Sequence, residues 1–172
     1  RRLYKLNATT AGVSDIKSIV SELDTLMAPE GVLLYLDEIQ YFNRKQQQSL
    51  LEYIEDGRVT LISSTTENPF FSLYPALLSR STVFEFKPVD ANDMLPALRR
   101  AFDYCNKTAN INKECGDDVL LSIANGCGGD VRKALGALEN VYYASENVLS
   151  AELAAQLTQR SGIRFDRDGN EH

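Results

Sequence analysis

An apolar run that stops on two adjacent carboxylates, Leu33-Leu34-Tyr35-Leu36-Asp37-Glu38, constrains this chain more than any other feature. Four consecutive large uncharged side chains predict a strand buried on both faces, as in a parallel sheet flanked by helices. Open sheets of that kind gather their ligands at the carboxyl ends of the strands, which is where Asp37 and Glu38 fall. Two acids there suit hydrolysis of a Mg²⁺-bound nucleotide: Asp37 would hold the hydrated metal and Glu38 would polarise the attacking water. Taken alone, the string equally describes a buried strand that surfaces at an acidic turn.

None of the ten glycines begins a G-x-x-x-x-G-K-[ST] phosphate loop. Either the chain is a degenerate, non-hydrolysing relative of nucleotide hydrolases, or it starts after such a loop. The opening Arg1-Arg2-Leu3-Tyr4-Lys5-Leu6-Asn7-Ala8 favours the second reading, because Leu3 to Ala8 reads as a strand entered without a leader.

With 172 residues, 44% hydrophobic and 24% charged, the chain has the composition of a globular protein of one domain or two small ones. It carries no apolar run of membrane-spanning length and no signal-peptide pattern, so a cytoplasmic protein is expected. Cys105, Cys115 and Cys127 show no C-x-x-C spacing, and the one histidine is the terminal His172. That argues against a zinc site, a disulfide framework and His-based triads. A net charge of −6 argues against a chain-wide nucleic-acid footprint.

Residues 3–8 read as a strand, and Val13, Ile16, Ile19, Val20, Leu23 and Leu26 are spaced as one face of a helix. Pro29-Glu30-Gly31 breaks that pattern before the strand at 32–37. Asn43 with Gln46 three residues on predicts a capping box for a helix that buries Leu50, Leu51 and Ile54 and stops at Asp56-Gly57. A third strand, Val59 to Ser64, ends in the polar cluster Ser63-Ser64-Thr65-Thr66-Glu67-Asn68-Pro69. A short helical piece closing on Ala76-Leu77-Leu78-Ser79-Arg80 precedes a fourth predicted strand, Thr82 to Phe86. Beyond Lys87-Pro88-Val89-Asp90 only helical patterns remain, at roughly 91–105, 115–125, 130–145 and 150–159. The expected fold class is α/β: a parallel-sheet core followed by an all-α domain, with a boundary near residue 88 and a polar tail from Ser161 to His172.

Four polar features occur in a fixed order: Asp37-Glu38, Thr65-Thr66, Ser79-Arg80 and Gly129-Asp130-Val131-Arg132. This order resembles the AAA+ ATPases, in which Walker B, sensor 1, an arginine finger and sensor 2 follow one another. Leu6-Asn7-Ala8, Phe42-Asn43, Glu55-Asp56-Gly57, Ser64-Thr65-Thr66-Glu67-Asn68-Pro69 and Ala76-Leu77-Leu78-Ser79-Arg80 look like the clamp-loader-related branch. Within it the chain is most similar to the replication-associated recombination protein A family, also called MgsA, with the Werner-helicase-interacting ATPase as eukaryotic relative. The likeness runs through nearly the whole chain and includes the closing Phe165-Asp166-Arg167-Asp168-Gly169.

The resemblance implies a partial AAA+ P-loop core at 1–88, a helical lid domain at 89–147 and a connector at 148–172 towards a C-terminal assembly domain that is not in the sequence. It implies ATP and Mg²⁺ as cofactors in the full-length protein. Asp37 would be the metal-binding acid and Glu38 the water-activating one. Thr66, or less readily Thr65, would be sensor 1 on the γ-phosphate. Arg80 would be an arginine finger given to the next subunit, and Arg132 would reach the nucleotide from the lid. A strand-end threonine bonding local backbone and surface arginines are the plain alternatives. The implied partners are single-stranded or fork DNA, further copies of the chain and replication-fork proteins, with nucleoid-associated action at stalled or gapped forks. Without a phosphate loop the segment itself is expected to be inactive. A non-catalytic clamp-loader-like scaffold that lends Arg80 to a neighbour is the rival reading.

Two departures accompany the likeness. Many relatives carry His-Arg after the Walker B acids where this chain has Gln40-Tyr41. In the AAA+ strand order 5-1-4-3-2 the phosphate-loop strand would lie between the strands at 59–64 and 82–86. The edge beside Leu61 and Ser63 is therefore expected to be covered by another chain or by a shifted strand 82–86.

Overall fold

The run at Val32–Asp37 is the middle strand of a three-stranded parallel sheet, paired on one side with Arg2–Asn7 and on the other with Val59–Ser63. We label these β2, β1 and β3 respectively. The structure, a computed structural model, describes residues 1–23 and 25–158. The remaining helices are α1 (Val13–Ser21), α2 (Arg44–Glu55), α3 (Pro69–Ser72), α4 (Pro75–Leu78), α5 (Ala91–Ala109), α6 (Asp117–Gly126), α7 (Val131–Ala144) and α8 (151–158). A 3₁₀ turn spans Ile39–Tyr41. The chain divides into two compact units, Arg1–Phe84 and the part from Glu85 onwards. No helix among the described residues is long and apolar enough to cross a membrane.

In the first unit one face of β2 is fully covered, with Val32, Leu34 and Leu36 no more than 1% exposed, while Leu33 and Tyr35 are only half-buried. Leu34 and Leu36 pack among Ile16 and Ile19 of α1, Ile39, Phe42, Leu50 of α2 and Leu77 of α4. Burying each of these leucines contributes about 2 kcal/mol. Gly31 sets the entry to the strand. It lies at φ +82°, and a Cβ there would fall 2.4 Å from the Arg58 carbonyl oxygen, the group that accepts the Val32 N–H at 2.8 Å. Asn43 caps α2 as the sequence predicts: its side chain accepts from the Gln46 N–H at 3.0 Å, and the Gln46 side chain accepts from the Asn43 N–H at 2.9 Å.

Two expectations fail here. The helix at 13–26 ends at Ser21, and Leu26 is 99% exposed. The Thr25 hydroxyl donates to Glu22 O and accepts from Met27 N, a side-chain turn that competes with helical bonding, while Leu23 bridges to Ala28. The fourth strand, Thr82 to Phe86, does not form. Residues 81–90 are exposed and without regular structure, and among the described residues β3 pairs only with β2. A strand needs a ladder partner for its backbone groups, and Thr82 to Phe86 find none beside β3. The shifted-strand cover for Leu61 and Ser63 is therefore not present, and Ile62 on β3 stands 52% exposed.

The second unit is helical, as predicted. Met94, Leu98 and Phe102 of α5 meet Val119, Leu120 and Ile123 of α6 and Leu138, Val141 and Tyr142 of α7. Gly128 and Gly129 turn the chain into α7 at φ +61° and +86°. A Cβ on Gly129 would lie 2.3 Å from Pro88 Cβ, so the turn admits no larger residue. The carbonyl end of α7 is held by Lys113, whose ammonium donates to Tyr142 O at 2.7 Å and Ser145 O at 2.6 Å. The expected polar tail and its Phe165 to Gly169 string lie outside the described residues.

Candidate active site

Parallel pairing aligns the carboxyl ends of the three strands, and that alignment assembles the site. Asn7 is opposite Asp37 and Ser63 is opposite Leu36, so Ser64 arrives beside Asp37. The Ser64 hydroxyl donates to Asp37 Oδ1 and accepts the Glu38 N–H at 3.3 Å. Asn7 Nδ2 lies 3.4 Å from Asp37 Oδ2. Its orientation is set by an Asx turn in which Asn7 Oδ1 accepts from the Thr9 N–H at 2.9 Å and the Thr9 hydroxyl at 2.6 Å. Ile39 N donates to Ser64 O and Ser64 N to Leu36 O, which extends the β2–β3 ladder past the acids.

Glu38 is left-handed, at φ 55° and ψ 49°, a conformation that costs a residue with a side chain about 1 kcal/mol or more. It ends the strand abruptly and starts the 3₁₀ turn, so the chain reverses over Glu38 instead of running on. Buried Ile39 and Phe42 fix that turn. The Glu38 carboxylate accepts from Gln40 Nε2 and, at 3.3 Å, from the Thr66 hydroxyl. Thr65 is used differently: its hydroxyl accepts the Glu67 N–H at 3.1 Å in a local turn.

Asp37, Glu38 and Thr66 are thus brought together. Asp37 Oδ2 has only the long contact from Asn7 among the described residues and keeps accepting capacity. Magnesium in nucleotide sites takes one or two carboxylates, with water and phosphate completing its shell. The Asp37-Glu38 pair fits that need, and no group of three or more His, Cys, Asp or Glu side chains converges among the described residues.

Arg80 stands apart from this cluster in contacts, just after α4. Its guanidinium pairs with Glu55 Oε1 at 2.6 Å and donates to Ala76 O at 3.0 Å. Gln47 fixes the segment leading to it. Buried on α2, it donates to Phe42 O at 2.9 Å and accepts the Tyr74 N–H at 2.7 Å. Arg132 belongs to the second unit, exposed in the first turn of α7, where Asp130 caps by accepting the Lys133 N–H at 2.9 Å. The Arg132 side chain has no hydrogen bond or ion pair to another described residue. Sequence reasoning passed over Asn7, Ser64 and Gln40 as site residues. Strand register was the available signal for the first two.

No protein-family model matches the chain. It is 34% identical over 179 residues to replication-associated recombination protein A of Escherichia coli K12, covering 96% of this chain and 39% of that protein. It is 32% identical to an uncharacterized AAA domain-containing protein of Mycobacterium tuberculosis, covering all of this chain and 39% of the relative. The chain therefore spans about two fifths of the length of these relatives. Among solved structures, the Thermotoga maritima RuvB Holliday junction branch migration motor superposes with a TM-score of 0.70 at 18% identity, over 92% of this chain and 52% of that one. That likeness shows an AAA+ fold. In sequence, and with the AAA+ fold, the chain is thus similar over nearly its whole length to replication-associated recombination protein A, of which it spans about two fifths.

Proposed function

We propose that this chain carries the hydrolytic half of an ATP site in a DNA-maintenance ATPase acting at stalled or gapped replication forks. The observation that supports this most is the left-handed Glu38 beside Asp37 at the end of the central strand, joined to Thr66 from the loop that follows the neighbouring strand. Asp37 would hold Mg²⁺, which when bound neutralises charge on the phosphates. Glu38 accepts the proton of the attacking water, and Thr66 orients that water or the γ-phosphate. Arg80 serves the site of the next subunit in a homo-oligomer, and Arg132 serves the nucleotide from the lid. The segments 1–88, 89–147 and 148–172 act as core, lid and connector.

DNA enters this reading through the relatives' name, and contact through phosphates would weaken steeply with salt. A scaffold subunit has no use for a water-activating Glu38. The 172 residues alone, with no phosphate loop, do not hydrolyse ATP in this reading.

The test is Glu38→Gln in the complete gene product, with ATP binding and hydrolysis measured separately. Binding is expected to persist while turnover falls below about one hundredth. Hydrolysis at the unsubstituted rate overturns the assignment.

A further inference from the structure

Gln40 lies two residues beyond the acid it contacts, in a position the tight 3₁₀ turn creates: left-handed Glu38 starts the turn, and Tyr41 N donates back to Glu38 O at 3.0 Å. The turn folds the Gln40 side chain over the Glu38 carboxylate. One nitrogen of that side chain serves two partners, donating to Glu38 Oε2 and, at 3.1 Å, to the Thr66 hydroxyl oxygen. Thr66 in turn donates to the same Glu38 oxygen at 3.3 Å. The three side chains close a triangle between two strand ends that are 28 residues apart in sequence.

The other end of the amide is unsatisfied. Gln40 Oε1 is buried and has no hydrogen-bond partner among the described residues. A glutamine kept only for packing gains nothing from an orphaned acceptor, which carries a desolvation cost. Its placement is set by the donor end, towards Glu38 and Thr66.

We propose that Gln40 is a positioning residue for hydrolysis, its amide N–H holding the Glu38 carboxylate in one orientation and tying it to Thr66. The proposal rests on the reading of Glu38 as the water-activating group. A neutral donor suits the task. An arginine or lysine at this position would form an ion pair that competes with water for the carboxylate, whereas an amide orients the carboxylate and leaves its negative charge in place. The shared Thr66 hydroxyl also links the residue facing the γ-phosphate to the one facing the water, so a shift at either is felt at the other.

The experiment measures kcat at saturating ATP, nucleotide Kd with a fluorescent ATP analogue, and thermal unfolding, all on the complete gene product. Gln40→Leu, of similar length without a donor, is expected to lower kcat about tenfold or more while Kd stays within about twofold, because misplacing a reacting group costs turnover rather than binding. Gln40→Asn keeps the amide but shortens its reach, and is expected to lose as much. It carries the test if the leucine variant does not fold. Gln40→His returns a ring N–H at comparable reach and recovers most of the loss, which a merely structural role would not predict. Unsubstituted kcat in Gln40→Leu or Gln40→Asn, or a Gln40→His enzyme as slow as they are, overturns the proposal. Glu38→Gln run beside them separates two failures. If it turns over normally, the role of Glu38 falls and this proposal with it. If it is inactive while Gln40→Leu runs at full rate, only the role of Gln40 falls.

Discussion

The Arg80 guanidinium closes to 2.6 Å on the Glu55 carboxylate in the last turn of α2. Both side chains are over two fifths exposed, so water screens the pair and its contribution to stability is at most about 1 kcal/mol. So weak a pair holds the guanidinium at the protein surface loosely enough for it to exchange partners.

Arg80→Ala is therefore expected to leave the thermal midpoint nearly unchanged and to reduce ATP turnover of the complete gene product by about 10³-fold, the low end for loss of an arginine finger. Mixing it with Glu38→Gln subunits should return part of the activity, since each variant supplies what the other lacks. No recovery over any mixing ratio would argue against service in trans. Glu55→Gln should cost far less turnover than Arg80→Ala.

Gln47 gives the opposite pattern, a large effect on stability. It is 2% exposed, with its donor on Phe42 O and its acceptor on Tyr74 N. Gln47→Leu strands both backbone groups and should cost about 1–3 kcal/mol in urea denaturation. Gln47→Glu keeps the acceptor but sets an anion against the Phe42 carbonyl, and should cost more at neutral pH than Gln47→Leu. The reverse order would show that the donor end contributes little.

Burial pushes the thiols of Cys105, Cys115 and Cys127 above the ordinary thiol range. Lys133 partly offsets this at Cys127, and Arg99 does so at Cys115. As pH rises the unfolded chain loses these protons first, so their stabilising contribution is complete below the ordinary thiol value and is lost as pH climbs from about 8.5 through the folded values. Stability measured against pH should fall in that window, and less steeply in Cys127→Ala. Iodoacetamide at pH 8 should label the folded protein slowly, with Cys127, only 4% exposed, the slowest of the three. Rapid labelling of Cys127 under native conditions would contradict its burial.

What the sequence made legible was local or repetitive. The Asn43–Gln46 capping box lies within one turn of chain, and the run at 33–36 needs only its own hydrophobicity to read as a central strand. Pairing is not local. Thr82 to Phe86 has strand-forming residues, yet a strand forms only against a partner, and among the described residues β3 pairs with β2 alone. Buried polar residues were missed for a related reason, because their meaning lies in what faces them. Gln47 stands on the same helical face as Leu50, Leu51 and Ile54, but its partners at Phe42 and Tyr74 come from other elements. Of the candidate site, Asp37, Glu38 and Thr66, which meet at the strand ends, were legible as a list. The groups that aim its members, Asn7, Ser64 and Gln40, emerged only once strand register and the 3₁₀ turn were fixed.

The backbone of Glu38 separates stability from activity in one position. At φ 55° a residue with a Cβ carries strain of roughly 1–2 kcal/mol that glycine does not. Glu38→Ala keeps the strain and loses the bonds from Gln40 and Thr66. Glu38→Gly loses the same bonds and relieves the strain, at the expense of roughly 0.5–1 kcal/mol of extra chain entropy in the unfolded state. Both variants should be inactive for want of the carboxylate. In urea denaturation the glycine variant should equal or exceed the alanine variant, by up to about 1.5 kcal/mol. An alanine variant clearly more stable than the glycine one would mean that the left-handed turn is not strained, and that Glu38 occupies it without cost.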